Sequence, residues 1–250
     1  MTKPTRIGSV FLCIIGKMWY DEYGRKRWPK ARGESTPVFA NVQKERKYMQ
    51  YLIVIALGYL LGCSNMATYL AKLKKVDLTA GGSGNPGASN AVILMGWSAG
   101  VLTAVHDIGK SALAVILARV FFPDLPHAGV LAGVASVLGH IFPFWMGFRG
   151  GKGFASYLGM TIALNWKFSI VVLLLVVVVT LVTDYIVAAT TTTIVIVPIY
   201  MGISTGLLAA LILLTASAVI AWKHRDNYVR IYKGTEIGFR SAGRGDHRVK

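Results

Sequence analysis

The chain is predicted to be all-α and to cross a membrane about seven times, because composition, run length and charge placement agree. Hydrophobic residues make up 54% of the 250 and charged residues 15%, with mean hydropathy +0.53. A soluble domain of that size carries roughly a quarter charged residues. The bilayer is therefore the expected solvent.

A spanning helix needs about 20 mostly apolar residues. Residues 48–71 supply the first such run, uncharged between Lys47 and Lys72. Residues 92–122 supply a second, interrupted by His106, Asp107, Lys110 and Arg119. Those groups must face a protein interior or water, because lipid solvates them poorly. Residues 125–148 follow, then 154–165, short for a crossing, then 168–183, which end before Asp184. From 185 to 222 there is no charge, so this stretch is expected to fold back as two helices. Pro198 and residues 201–206 are expected to mark the turn. Residues 1–49 mix a short apolar run, 7–15, with many bases and lack a small-residue cleavage site. They read as a basic interfacial extension, the rival being a protein that starts near Met49. The expected domains are thus 1–49, a membrane domain over 50–240 and a basic tail over 241–250.

Lysine and arginine total 27 against 11 acidic residues, a net charge of +16. The bases cluster in the first 50 residues, at 149–152 and from Lys223 onward, a pattern that suits anionic lipid or phosphorylated substrates. The apolar runs between clusters leave no continuous basic face for nucleic acid. Cys13 and Cys63 have no CxxC or histidine spacing, so they read as packing residues and not as a disulfide or metal site.

Three polar segments carry the chemistry. The first is Gly81-Gly82-Ser83-Gly84-Asn85-Pro86-Gly87-Ala88-Ser89-Asn90, just before an apolar helix. Successive N–H groups in a glycine-rich turn can form an anion nest at a helix N-terminus, with Ser83, Asn85, Ser89 and Asn90 as neutral donors. A plain capped turn, with Ser89 or Asn90 capping, is the structural alternative. No Gly-Lys-Ser/Thr closes the loop, which argues against nucleotide hydrolysis. The second is Gly139-His140-Ile141-Phe142-Pro143 with Phe148-Arg149-Gly150-Gly151-Lys152-Gly153. It sets two cations among three glycines, suited to a phosphate or a developing oxyanion. A topogenic loop explains the cations but not the glycines. The third is Lys223-His224-Arg225-Asp226-Asn227-Tyr228, continuing to Lys233-Gly234-Thr235-Glu236. On a continuing helix His224 and Asn227 share a face.

In order and spacing these segments, with Gly62 and Ala71-Lys72-Leu73, resemble the bacterial acyl-phosphate:glycerol-3-phosphate acyltransferase family over roughly residues 50–240. The resemblance implies a seven-span fold in the cell membrane with its polar loops on the cytoplasmic face. It also implies transfer of an acyl group from acyl phosphate to the 1-hydroxyl of glycerol 3-phosphate, giving lysophosphatidate. Membrane lipids are partners, and no metal or nucleotide cofactor goes with the family. Carried over, Ser83, Asn85 and the backbone from Gly84 to Gly87 hold a phosphate. Lys152, with the amides of Gly150, Gly151 and Gly153, binds phosphate and stabilises the oxyanion. His224 and Asn227 join Lys152 as catalytic residues, while Asn90, His140 and Arg149 complete the substrate-binding set.

The chain also departs from the pattern. Ile93 stands where the family carries arginine, Asp184-Tyr185-Ile186-Val187 near its Arg-Tyr-Val-Ser, and Cys63-Ser64-Asn65 at its Ser-Ile-Pro. Arg149 and Lys110 are the candidates to supply the charge missing at Ile93. Two other readings compete: an anion transporter or lipid-binding membrane protein, and a divergent paralogue with altered acceptor or lost activity.

Overall fold

The structure is a computed structural model that describes residues 37–243. The apolar run 7–15, Cys13 and most of the expected interfacial extension lie outside them. The chain divides between Gln43 and Lys44, and the candidate site lies within the unit Lys44–Lys250.

The described residues form eleven α-helices and one 3-10 turn. An apolar segment in a bilayer must satisfy its own amides, and a helix does so within one segment. Helix α1 (Pro37–Gly62) runs without interruption past residue 50, and after a short break α2 (Met66–Lys74) continues it. Together they give a span over Gln43–Lys74. The second run is divided: α3 (Ala88–Met95) stops at Gly96, whose φ of 89° favours glycine, and α4 (Trp97–Phe121) makes the crossing.

Helix α5 (Ala128–Ile141) is the most enclosed span, and α6 (Phe154–Leu164), α7 (Trp166–Thr183) and α8 (Ile186–Thr205) follow. Then come α9 (Leu207–Lys223), α10 (Arg225–Tyr232) and the short α11 (Phe239–Gly243).

The chain is a multi-pass membrane protein, as expected, and all-helical over its described residues, among which the count of about seven spans is not reached. Five helical segments are long and apolar enough to cross, and a sixth is available if α9 and α10, bent by 47°, count as one. The shortfall is α6: its 11 residues rise about 16 Å, roughly half the hydrocarbon core. Pro198 does not mark the turn between the last two spans either. It lies inside α8, and the reversal falls at Gly206, with φ 115°.

Small residues let the central helices approach. A Cβ on Gly58 would overlap the backbone of Ala132, and one on Gly62 that of Ser136. Gly139 returns the contact against Tyr59 O. Since lipid tails are as apolar as leucine, such close backbone packing is what holds α1 to α5. The largest core cluster joins α4 to α9, with Val115, Val137, Tyr157, Met160, Val197, Leu213 and Ile220 fully buried. Helix α7 sits at the edge, most of its apolar surface turned outward as toward lipid.

Candidate active site

The first loop is built from its own side chains. Asp77 Oδ1 accepts from Thr79 N–H at 2.8 Å and from its hydroxyl at 2.7 Å. These bonds, the hydroxyl's first, hold the Asp77 carboxyl below the usual range. Asn90, expected among the substrate donors or as a cap, is not the cap, and its amide is engaged within the loop. The cap position is Gly87, with no side-chain bond. Asn90 is 1% exposed, and its amide spans the loop, Oδ1 accepting from Ser83 N–H at 2.8 Å and Nδ2 donating to Leu78 O at 3.0 Å. Gly84 N–H is likewise taken by Gly81 O and Gly87 N–H by Asn85 O. The expected nest of free amides is therefore largely closed, and Ser83 and Asn85 are what remain beside the cavity.

The second loop closes on the end of α5. Gly150 N–H donates to Ile141 O at 3.0 Å and Gly151 N–H to His140 O at 3.1 Å. Both amides expected on the substrate are thereby spent inside the protein. Neither glycine tolerates a Cβ, which would strike His140 O at position 150 and the His140 ring at 151. Gly153 takes φ 94° and starts α6, so the chain turns sharply after Lys152. The Lys152 ammonium donates to Asn227 Oδ1. Asn227 Nδ2 donates in turn to Glu236 Oε1 at 2.5 Å, and Arg230 Nε pairs with Glu236 Oε2 at 2.6 Å. Burial first, and the Arg230 charge second, push Lys152 down to about 8, with Glu236 and Asp226 pulling the other way.

The loops meet in one cavity of about 940 Å³. Lys72, Lys75, Arg149, Lys152, Lys223, Arg225 and Arg230 line it, against only Asp77 and Asp226. Ser83, Gly84, Asn85 and Gly150 share the wall. Such an excess of cations in a partly desolvated hollow concentrates anions. Of the remaining expected residues, His140 is 3% exposed and His224 5%, and neither lines the cavity. His224 sits at the bend between α9 and α10 and donates from Nδ1 to Ile220 O at 2.8 Å. Asn227, also buried, reaches the site through Lys152. Gly87, Asn90, Gly151 and Gly153 shape the loops from behind.

Five cavity cations were given no site role from the sequence, although Lys72, Lys223 and Arg225 stand in its motifs: Lys72, Lys75, Lys223, Arg225 and Arg230. They resemble ordinary topogenic charges at span ends. The available signal was helical spacing, since Lys72 lies in the last turn of α2, three residues before Lys75, whose φ of 54° closes that helix. Of the two candidates to replace the charge missing at Ile93, Arg149 lines the cavity and Lys110 does not, being buried against Ser64, Asp107 and His140.

Comparison with known proteins bears on this cavity. The glycerol-3-phosphate acyltransferase family model matches residues 52–234. A glycerol-3-phosphate acyltransferase of Parasynechococcus marenigrum (strain WH8102) is 37% identical over 188 residues, covering 74% of this chain and 88% of the relative. One of Mesorhizobium japonicum is 35% identical over 191 residues, covering 75% and 96%. Among solved structures, the glycerol 3-phosphate form of PlsY (YgiH), an integral membrane glycerol 3-phosphate acyltransferase, superposes with TM-score 0.72 at 30% identity, covering 77% of this chain and 97% of that one. Its lysophosphatidic acid form gives TM-score 0.66 at 29% identity.

Proposed function

This chain belongs to the glycerol-3-phosphate acyltransferase family, and we propose that its cationic cavity is where acyl phosphate and glycerol 3-phosphate meet. The protein is a multi-pass membrane acyltransferase of phospholipid biosynthesis whose acceptor is glycerol 3-phosphate. The donor, the residues that act and the cytoplasmic placement of the cavity are our reading.

One observation carries it: three segments far apart in sequence bring seven cations, against two carboxylates, around one hollow, with the Ser83 and Asn85 side chains in its wall. Two phosphate-bearing substrates need that charge and that room. Acyl phosphate already holds an activated carbonyl, so positioning and charge stabilisation can supply the acceleration without a protein nucleophile. The primary hydroxyl oxygen of glycerol 3-phosphate attacks the carbonyl carbon. The carbon–oxygen bond to phosphate then breaks, and the departing phosphate takes the hydroxyl proton. Lys152 meets the charge that develops, steadied by Asn227 and through it by Glu236. Ser83, Asn85 and Arg149 hold phosphate, while Asn90, Gly150 and Gly151 keep the loops in shape.

The test is purified protein in lipid nanodiscs, given acyl phosphate and labelled glycerol 3-phosphate. Lysophosphatidate and inorganic phosphate should appear in equal amounts. Product from an acyl thioester but not from acyl phosphate would overturn the donor assignment.

A further inference from the structure

The transfer step leaves one buried polar cluster unused, and it touches both loops of the cavity. Asp107 and Lys110 lie one turn apart on α4, both almost wholly buried. The Lys110 ammonium has three hydrogens and three acceptors: Ser64 O at 2.5 Å, Asp107 Oδ1 at 2.8 Å and His140 Nδ1 at 2.9 Å. A lysine ammonium only donates, so Nδ1 is the bare nitrogen of His140. The ring hydrogen then sits on Nε2, the atom lying against Gly151. Nε2 has no partner among the described residues.

The other arm of the cluster leads to the first loop. Ser64 belongs to the break between α1 and α2, and its neighbour Asn65 donates from Nδ2 to Pro86 O at 3.0 Å. The break is held to α4 a second time, because Ser64 Oγ bonds His106 Nε2 at 2.9 Å. A buried ion pair is weak evidence for stability, since apolar residues of similar volume often do as well; fixing one arrangement is its better-attested use.

We propose that Lys110 is a positioning residue of the transferase: it sets the spacing between the Ser83–Asn85 side of the cavity and the Lys152 loop, and holds His140 with its Nε2–H toward Gly151. This role presupposes that the cavity is the transfer site. A shift of about 1 Å between reacting groups can cost on the order of a hundredfold, so loop spacing translates directly into rate.

Two measurements test it. In wild-type protein labelled with 15N-histidine and held in nanodiscs, the His140 resonances, assigned by their loss in His140→Gln, should report the Nε2–H tautomer without any substrate. An Nδ1–H ring or an imidazolium overturns the proposal. This arm reads out even if the protein acylates something other than glycerol 3-phosphate, so the two readings fail separately. The kinetic arm uses Asp107→Asn with Lys110→Met, because Lys110→Met alone strands a buried carboxylate. We expect an unchanged melting midpoint, a raised KM for glycerol 3-phosphate and a lowered kcat, together costing up to about a hundredfold in kcat/KM. Wild-type kinetics in the folded double variant overturn the proposal. So does a lowered melting midpoint with wild-type KM in the surviving protein, the mark of a purely structural role. If the double variant does not insert, the tautomer decides.

Discussion

Lys152 gives the sharpest handle on the proposed chemistry, because burial lowers it to about 8 and so places its charge change within reach of an assay. The ammonium is the form that binds phosphate. At pH 7 about nine-tenths of the free enzyme carries it, and at pH 9 about one-tenth. We therefore expect kcat/KM to be level around pH 7 and to fall, approaching tenfold per unit, above pH 8. The acceptor makes no such break, since a phosphate monoester loses its second proton near pH 6. Bound phosphate favours the ammonium, so the break in kcat should lie at higher pH than that in kcat/KM. Lys152→Met removes the charge and keeps much of the stem. Losing a charge-assisted contact costs about 1.5–3 kcal/mol, or roughly tenfold to 150-fold in kcat/KM. Lys152→Arg should be slower than wild type at pH 7, because a planar fork does not replace a point charge beside Asn227. Its profile should nevertheless lose the alkaline break, since guanidinium stays protonated. Stability moves the opposite way. With the folded value below the ordinary 10.5, the unfolded chain binds more protons between about pH 8 and 10.5, so wild-type stability should gain with pH across that window. Lys152→Met should lack that contribution. A break near pH 8 that survives in Lys152→Arg, or near-wild-type turnover in folded Lys152→Met, would refute the reasoning.

Arg149→Gln should raise the KM for glycerol 3-phosphate roughly tenfold or more with a smaller change in kcat, as initial rates at saturating donor would show; an unchanged KM would remove Arg149 from the phosphate site. Asn90→Ala strands Ser83 N–H and Leu78 O, at about 1–3 kcal/mol for each group left dry, so both a lower melting midpoint and a higher KM are expected, and a change in neither would show that the loop holds without its brace. Single cysteines at Ser83 and Lys152 should react with an impermeant maleimide from one side of sealed vesicles, the cytoplasmic side. Labelling from opposite sides would break the shared cavity.

The spans were legible because an apolar run in a bilayer has to hydrogen-bond itself, so hydropathy alone names the helix. The Gly-rich motifs were legible because glycines and a lysine in that order have few other uses. What each group does once folded was not. Gly150 and Gly151 read as free donors, yet their hydrogens go to Ile141 O and His140 O. Asn90 read as a ligand and is a brace. Lys72 and Lys223 were given no site role by the sequence, and only packing brings them to one cavity across about 150 residues of chain. The sequence by itself determined which segments prefer lipid and that Asp107 and Lys110 need shelter from it. Only the tertiary structure decided that the shelter is Ser64 and His140, 46 and 30 residues from Lys110, and which donors stay open for phosphate. The reason is that solvent preference is summed along a local segment, whereas a hydrogen bond is satisfied by whichever acceptor the fold brings within 3 Å.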